Sequence, residues 1–342
     1  MRGAVLYAPR DIRFEERDEP KIMKPTDAII RTSATCICGS DLWPYRGINP
    51  ITQPSPMGHE YCGMVEEVGS AVKSIRRGQF VIGSFFSSDN TCPNCQIGYQ
   101  SACRQREVIS TAQAPLVRIP LADGTLVATP EIPPQDLLPS LLTLSDVMGT
   151  GWFAADAANV EPGKTVAVVG DGAVGLLAVL SAKQMGAQRI IAMSRHEPRK
   201  KLAREFGATD IVEERGQAAI DRVKEMTNGI GADSVLECVG TKESMMQAIG
   251  STRPGGYMSY VGVPHGVELN GQELFYSHVH LHGGPAPVRR YLPKLMELVW
   301  SRKINPGKVF DLTLPLDQVA EGYRAMDERR AIKTFLRPNG TK

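Results

Sequence analysis

The chain of 342 residues lacks a strong excess of charge, because 39 Lys and Arg residues nearly balance 37 Asp and Glu residues. Such a protein has no overall field that would attract nucleic acid or an anionic membrane. It also lacks an apolar run long enough to span a bilayer, since even residues 166–182 contain Asp171 and several glycines. Charge returns early, at Asp11 and Arg13, which argues against a signal peptide. We therefore expect a soluble, cytoplasmic protein that binds neither nucleic acid nor membranes.

Cysteine is scarce and odd in number, with seven residues in the chain. The cysteines cluster at metal-ligand spacing and do not spread as a disulfide framework. Cys36, Cys62 and Cys238 lie outside those clusters and are expected to be small core residues. The length of the chain is sufficient for two domains with buried cores.

A first candidate site lies in Cys38-Gly39-Ser40-Asp41 and, after a short loop, in Gly58-His59-Glu60. A thiolate, an imidazole and carboxylates at this spacing are ligands that zinc accepts, and a catalytic zinc keeps one position open. Asp146 is the third candidate ligand. Any one of these residues alone is more often structural, as a buried Cys, a hydrogen-bonded His or a turn Asp.

A second candidate site is a nucleotide-binding loop. The apolar, β-branched run at 164–169 predicts a strand buried on both faces, and it leads into Gly170-Asp171-Gly172-Ala173-Val174-Gly175. A helix to about residue 185 and a second strand at 189–193 follow. In this order Gly170 permits the turn, Gly172 lets the backbone approach a pyrophosphate, and Gly175 lets the helix pack on the strand.

Together these motifs resemble those of the zinc-dependent medium-chain alcohol dehydrogenases, and the resemblance covers almost the whole chain. It implies Cys38, His59 and Asp146 as ligands of a catalytic zinc. Glu60 is implied as a fourth carboxylate that can approach the metal, and Asp41 as an acceptor from the ring nitrogen of His59. A solvated loop aspartate is the alternative for Asp41.

The resemblance also implies an α/β fold with two domains. Short strands broken by Gly and Pro in the first half, such as 61–68, are typical of a β-rich, barrel-like domain. Residues 1–149, completed by 286–342, are expected to form a GroES-like catalytic domain. Residues 150–285 are expected to form a Rossmann domain, a doubly wound parallel sheet.

Members of this family commonly carry a lobe of four cysteines that binds a structural zinc. Cys92, Cys95 and Cys103 match its last three positions, and Asp89 stands where the first cysteine is expected. An aspartate is an acceptable zinc ligand, so we expect a closed site with one carboxylate and three thiolates. The alternative is a lobe that has lost its metal and keeps three inert thiols.

The family passes the substrate proton through a hydroxyl, the nicotinamide ribose and usually a histidine. Ser40 matches the hydroxyl, but Trp43 occupies the position of the histidine and its indole nitrogen is a donor only. Trp43, Leu42 and Tyr45 are instead expected to form the wall of a pocket for an apolar or aromatic substrate. The motif His278-Val279-His280-Leu281-His282 is expected to have a hydrogen-bonded or interface role, because no other kind of ligand is nearby, and a metal site is the alternative.

The second strand of the nucleotide unit predicts the choice of cofactor. Ser194 stands where an acidic residue contacts the ribose in NAD-selective proteins, and Arg195 and Arg199 follow it. These three residues predict contact with a 2′-phosphate and hence NADP(H) in preference to NAD(H). The alternative is that these residues are the solvent-exposed, basic start of a helix and do not contact a cofactor. Further expected cofactor contacts are Ala173 and Val174, Val239, Val261 and Val263, and Lys333 at the pyrophosphate.

The sequence therefore predicts a zinc-dependent, NADP(H)-linked alcohol dehydrogenase or carbonyl reductase acting on a small alcohol or carbonyl compound. A polyol, amino-alcohol or aldehyde dehydrogenase of the same family is the nearest alternative, since the fold does not determine the substrate. A nucleotide-binding protein without turnover is the alternative from another class. The resemblance alone implies a homodimer or homotetramer.

Overall fold

The computed structural model describes residues 1–338. The chain forms two compact units. Residues 1–149 and the segment that begins at Pro287 make up the first, here named the discontinuous unit, and Thr150–Ala286 make up the second, the central unit. Among residues 1–338, two apolar core clusters lie in the discontinuous unit and another lies in the central unit.

The described strands are β1 (Arg2–Ala8), β2 (Asp11–Glu16), β3 (Ala28–Cys36), β4 (Ser55–Pro56), β5 (Tyr61–Val68), β6 (Phe80–Gly83), β7 (Leu116–Ile119), β8 (Leu126–Ala128), β9 (Thr165–Val169), β10 (Arg189–Met193), β11 (Asp210–Val212), β12 (Ala232–Glu237), β13 (Thr252–Tyr260), β14 (His280–Gly283), β15 (Leu312–Pro315) and β16 (Thr334–Arg337). The α-helices are α1 (Leu42–Tyr45), α2 (Pro93–Gln96), α3 (Ala122–Thr125), α4 (Leu138–Thr143), α5 (Val147–Ala157), α6 (Ala173–Gln184), α7 (Glu197–Phe206), α8 (Gln217–Met226), α9 (Lys242–Ser251), α10 (Gly271–Ser277), α11 (Val288–Trp300) and α12 (Val319–Asp327). Short 3-10 helices lie at Gln100–Ala102, Gln135–Leu137, Pro306–Val309 and Leu316–Gln318. No helix within residues 1–338 has the length and apolar character needed to cross a bilayer.

The central unit is built on a parallel sheet with the strand order β11-β10-β9-β12-β13-β14. Val166, Ala167 and Val168 of β9 are fully buried, as expected for a strand covered on both faces. From β9 the chain runs outward to β10 and β11 and then returns to β12 on the other side of β9. At such a reversal the carboxyl ends of the strands form the crevice in which open α/β sheets bind ligands. The predicted doubly wound sheet is confirmed.

Three residues separate the end of β10 from the start of helix α7. Pro198 lies in its first turn, where the missing N–H has no partner to lose, and Gly207 ends it with φ 116°, a left-handed conformation suited to glycine. Leu202 and Phe206 are buried on one face of this otherwise charged helix. Burial of that face places the first turn of α7 beside the carboxyl end of β10.

The discontinuous unit contains a mixed sheet with the order β15-β16-β3-β5-β6-β8, in which β7 also pairs with β3, and a second sheet with the order β2-β1-β4. β3 pairs antiparallel with β5, where Thr35 lies opposite Tyr61, and with β16, where Cys36 lies opposite Phe335. Because β3 and β5 are antiparallel, residues that follow β3 and residues that precede β5 lie at the same end of this sheet.

Candidate metal centres and nucleotide-binding loop

Four candidate metal ligands converge at this end of β3 and β5. We name them the Cys38 cluster: Cys38, His59, Glu60 and Asp146, whose ligand atoms all lie within 4.8 Å of one another. Cys38 follows β3 and His59 precedes β5, so strand pairing brings them together. Oδ2 of Asp146 lies 3.2 Å from Nε2 of His59 and 3.6 Å from Sγ of Cys38.

Ser145, the residue before Asp146, holds the third segment of the Cys38 cluster in place through two hydrogen bonds. The Ser145 hydroxyl accepts a hydrogen bond from the Tyr61 N–H at 3.1 Å and donates one to the Gly83 carbonyl at 2.6 Å. Ser145 is fully buried. Asp146, which precedes α5, is therefore tied to the ends of β5 and β6.

The donors of the Cys38 cluster fit zinc, since a thiolate, an imidazole and a carboxylate are its usual protein ligands. Nδ1 of His59 lies 3.3 Å from Oδ1 of Asp41, which leaves Nε2 turned toward Cys38 and Asp146. Burial raises the pKa of the Cys38 thiol and the Asp146 carboxylate raises it further. A bound cation would reverse this effect, because the thiol must lose its proton to ligate.

A buried hydrogen-bond network holds the Asp41 carboxylate in place. Its Oδ2 accepts hydrogen bonds from the Cys38 N–H at 3.0 Å and from Nε2 of Gln113 at 3.3 Å. The Tyr323 hydroxyl donates in turn to Oε1 of Gln113 at 3.1 Å. Asp41 is therefore buried and bonded, not a solvated loop aspartate, and this network holds the acceptor that faces His59.

Sequence analysis did not identify Gln113 or Tyr323, since neither lies in a recognisable motif. The glycine at position 58 is a local sign that Gln113 packs closely against the segment before His59. Gly58 has φ 99°, and a Cβ there would lie 2.5 Å from the Gln113 side chain and backbone. Glycine before His59 is therefore required both by backbone conformation and by the position of Gln113.

Glu60 and Lys333 form an ion pair inside the discontinuous unit. Nζ of Lys333 lies 2.6 Å from Oε1 of Glu60 and donates to the Ile37 carbonyl at 3.1 Å, and both side chains are essentially inaccessible. The second oxygen of Glu60 has no hydrogen-bond partner among the described residues. The predicted approach of Glu60 to a metal and the predicted contact of Lys333 with a pyrophosphate remain predictions.

The predicted pocket residues differ in exposure. Leu42 and Tyr45 belong to an apolar core cluster, and the Tyr45 ring packs against Tyr323 with centroids 5.2 Å apart. Ser40 and Trp43 are only half-buried. Direct contact with a substrate is therefore more compatible with the positions of Ser40 and Trp43 than with those of Leu42 and Tyr45.

The second group of candidate ligands is the Asp89 cluster: Asp89, Cys92, Cys95 and Cys103, whose ligand atoms also lie within 4.8 Å of one another. The short helix α2 begins at Pro93 and turns the chain so that Cys95 returns toward Cys92. Sγ of Cys92 lies 3.5 Å from Sγ of Cys95 and 4.0 Å from Sγ of Cys103. All seven cysteines are free thiols.

These sulfur separations fit a tetrahedral zinc, because Zn–S bonds of about 2.3 Å place two sulfurs about 3.8 Å apart. Backbone N–H groups of Arg104 and Cys95 lower the pKa of the Cys92 thiol, which favours the thiolate that a metal needs. Oδ1 of Asp89 accepts from the N–H groups of Thr91 and Cys92 at 2.8 and 2.9 Å. Carboxylate oxygens have further lone pairs, so this turn does not prevent ligation.

The glycine loop connects β9 to α6 at the strand-order reversal. Gly170 has φ 114°, and a Cβ on Gly175 would lie 2.0 Å from the Gly170 carbonyl oxygen. A Cβ on Gly172 would meet nothing within 4 Å, so this backbone is open to a ligand. Ala173 and Val174 form the first turn of α6, which has no side-chain cap, and its N–H groups suit an anion.

The carboxylate of Asp171, in the glycine loop, makes contacts that the sequence pattern did not predict. The hydroxyl of Ser194, one residue after β10, donates to Oδ2 of Asp171 at 2.8 Å. Nη1 of Arg199 lies 3.0 Å from Oδ1 of Asp171, whereas Nε of Arg195 donates to the Glu213 carbonyl. The glycine loop therefore supplies a carboxylate that contacts both Ser194 and Arg199, while the predicted contact of these residues with a 2′-phosphate remains a prediction.

The remaining predicted cofactor contacts follow neighbouring strands of the central unit. Val239 comes after β12, and its Cγ2 would lie 2.8 Å from a Cβ on Gly170. Val261 and Val263 come after β13, the next strand. Val239 and Val263 are both exposed. All three therefore lie at the carboxyl edge of the sheet that also bears the glycine loop.

The alternating histidines do not join either candidate metal group among residues 1–338. The His280 ring stacks on Tyr257 with centroids 4.5 Å apart, and His282 lies edge-on to Phe153 at 5.8 Å. The expected hydrogen-bonded or interface role of this motif remains a prediction.

Comparison with known proteins points to one family. Residues 24–138 match the family model of the alcohol dehydrogenase GroES-like domain, and residues 173–301 match that of the zinc-binding dehydrogenase. Zinc-type alcohol dehydrogenase B of Aspergillus flavus is 34% identical over 98% of this chain and 81% of its own length. A probable zinc-binding alcohol dehydrogenase of Mycobacterium tuberculosis is 34% identical over 99% of this chain and 89% of its own length. The solved structure of alcohol dehydrogenase TADH from Thermus sp. ATN1 superposes with a TM-score of 0.89 at 30% identity, covering 98% of this chain and 99% of that one.

Proposed function

The chain belongs to the zinc-dependent medium-chain dehydrogenase family, and we propose that it is an NADP(H)-linked alcohol dehydrogenase or carbonyl reductase. The reaction is hydride transfer between an alcohol carbon and nicotinamide. The observation that carries the proposal is the convergence of Cys38, His59 and Asp146, with Asp41 placed behind the imidazole. A chain without metal chemistry has no need to bring these ligand types together from three segments.

In this proposal the thiolate of Cys38, Nε2 of His59 and a carboxylate oxygen of Asp146 hold a catalytic zinc. When bound, zinc polarises the alcohol or carbonyl oxygen as a Lewis acid. Asp41 accepts from Nδ1–H of His59 and so keeps Nε2 free to ligate. The Ser40 hydroxyl exchanges the proton of the substrate with solvent or cofactor, because Trp43 has only a donor N–H and cannot accept it.

The cofactor assignment depends on the central unit. The first-turn N–H groups of α6 bind the pyrophosphate, and Gly172 allows its close approach. Ser194, Arg195 and Arg199 bind the 2′-phosphate and so favour NADP(H). We assign residues 150–285 to this nucleotide domain, and residues 1–149 and 286–342 to the catalytic domain.

The test of this function is a kinetic screen of alcohols and carbonyl compounds with both cofactors, together with elemental analysis of the purified protein. We expect turnover, a higher kcat/KM with NADPH than with NADH, and about two zinc ions per chain. Activity confined to polyols, amino alcohols or aldehydes would support the alternative, a polyol, amino-alcohol or aldehyde dehydrogenase of the same family. Absence of turnover with bound nucleotide would instead indicate a binding protein.

Replacing Cys95 with alanine is expected to lower thermal stability with little effect on kcat/KM. We propose that the Asp89 cluster holds a structural zinc, whose binding free energy contributes to folding. For a unit of this size, each kcal/mol lost from the free energy of unfolding lowers Tm by about 2–4 °C. A loss of ~3 kcal/mol therefore lowers Tm by roughly 6–12 °C. Calorimetry measures the shift, and the zinc content should fall to about one ion per chain.

The matched control is Cys238→Ala, which removes a thiol outside both clusters. This variant should keep the wild-type zinc content. If Cys95→Ala matched the wild type in Tm and zinc content, the Asp89 cluster would be a lobe without metal.

We also propose a homodimer or homotetramer. The family resemblance implies it, and the exposed side chains of Phe275 and Tyr276 near the edge strand β14 support it. These side chains are 75% and 68% exposed, which is unusual for large aromatic groups with no partner to cover them. Sedimentation equilibrium should give a mass of two or four chains, and a monomer at micromolar concentration would contradict the proposal. The cytoplasmic localisation remains a prediction.

A further inference from the structure

The Asp171 carboxylate occupies two donors that the proposed function assigns to the cofactor. It accepts from the Ser194 hydroxyl at 2.8 Å and from Nη1 of Arg199 at 3.0 Å, and the same nitrogen lies 3.3 Å from the Asp171 carbonyl oxygen. The Asp171 and Arg199 side chains are only 17% and 14% exposed. The pair is thus partly shielded from water, which strengthens its interaction relative to a surface ion pair.

The fold explains why these groups meet. β9 and β10 are parallel neighbours with Val169 opposite Met193, so the residues that follow both strands lie at one edge of the sheet. Asp171 follows β9 and Ser194 follows β10. Arg199, in the first turn of α7, completes the arrangement. The carboxylate therefore lies where the ribose end of a dinucleotide binds in sheets of this kind.

We propose that Asp171 is a specificity-determining residue that competes internally with the 2′-phosphate of NADP(H). The Ser194 hydroxyl has one proton to donate, so it cannot serve the carboxylate and a phosphate at once. A phosphate beside an ionised carboxylate is also repelled, whereas the 2′-hydroxyl of NAD(H) can donate to that carboxylate. Both effects act in one direction: Asp171 limits the preference for NADP(H) that Ser194, Arg195 and Arg199 create.

This inference rests on the proposed nucleotide site, so its test measures nucleotide binding without zinc chemistry. Titration calorimetry with 2′,5′-ADP and with 5′-AMP compares ligands with and without the 2′-phosphate. Asp171→Asn should tighten the binding of 2′,5′-ADP by roughly 10-fold or more, the effect of one charged contact, and leave the affinity for 5′-AMP within a few-fold of wild type. The ratio of kcat/KM for NADPH to that for NADH should rise correspondingly.

Three further variants make the result specific. Asp171→Glu keeps the charge and should stay near the wild-type ratio. Asp210→Asn removes the same charge from the central unit, at the start of β11 where Asp210 pairs with Arg189, and should change neither affinity. In an Arg199→Gln background Asp171→Asn should have a smaller effect, because one of the two contested donors is gone.

The outcomes separate this inference from the proposed function. An unchanged ratio of the two affinities in Asp171→Asn, a shift toward 5′-AMP, or equal weakening of both ligands would overturn the inference alone. A wild-type protein that favours NADH, combined with the expected shift in Asp171→Asn, would support the inference and overturn the proposed NADPH preference. Failure of the wild-type protein to bind either nucleotide would overturn both.

Discussion

Cys38→Ala is expected to reduce kcat/KM by at least about 10³-fold, because loss of one of three proposed ligands removes the catalytic zinc and several kcal/mol of transition-state stabilisation. The zinc content should fall by about one ion per chain. The affinity for 2′,5′-ADP should stay unchanged, since the glycine loop belongs to the central unit and Cys38 to the discontinuous unit. Steady-state kinetics, elemental analysis and calorimetry measure the three quantities.

The control for this experiment is Cys62→Ala, which removes a buried thiol from the neighbouring strand β5 but no candidate ligand. It should retain the zinc content and lose at most a modest amount of stability. Wild-type turnover in Cys38→Ala would show that the catalytic assignment is wrong. Loss of turnover in both variants would show that the effect arises from folding and not from the metal.

Ser194→Asp combined with Arg195→Ala is expected to reverse the cofactor preference from NADPH to NADH. Each lost charged hydrogen bond costs about 1.5–3 kcal/mol, roughly 10- to 100-fold in kcat/KM for NADPH. The new carboxylate adds repulsion of the 2′-phosphate to the repulsion that Asp171 already exerts, because Oγ of Ser194 lies 2.8 Å from the Asp171 carboxylate. Competition kinetics with both cofactors measure the ratio.

Single substitutions separate the contribution of the Ser194 hydroxyl to the cofactor preference from that of the Arg195 guanidinium. Ser194→Ala removes a donor without adding charge and should lower the NADPH preference less than the double substitution does. Arg195→Ala should act only on NADPH if its guanidinium contacts the phosphate. The guanidinium Nε now donates to the Glu213 carbonyl, so equal effects on both cofactors would indicate a purely structural role. A wild-type preference for NADH would contradict the cofactor assignment itself.

Local sequence patterns were sufficient to predict much of the central unit. The apolar run that became β9, the three glycines and the start of α6 all lie within a short stretch of the chain. Gly170 adopts a left-handed conformation and Gly175 lies against the Gly170 carbonyl, as their spacing indicated. Asp171 belongs to the same stretch, yet the pattern did not reveal that its carboxylate faces Ser194.

Local motifs indicated the candidate zinc ligands, and the family resemblance assigned Cys38, His59 and Asp146 to one zinc. Cys38 and Asp146 are 108 positions apart, and no periodicity connects them. Antiparallel pairing of β3 with β5 and the hydrogen bonds of Ser145 bring them together. The motif residues were therefore visible in the sequence, but their convergence depends on the sheet.

The sequence by itself determined the types of ligand, the glycine loop and the alternation of strands and helices, because these depend on neighbouring residues and on backbone sterics. Only the tertiary structure decided which distant side chains form hydrogen bonds and ion pairs around these motifs. Gln113 and Tyr323 are 210 positions apart, and Glu60 and Lys333 are 273 apart. A hydrogen bond or an ion pair requires atoms a few ångströms apart, and chain folding alone brings such distant residues to that separation.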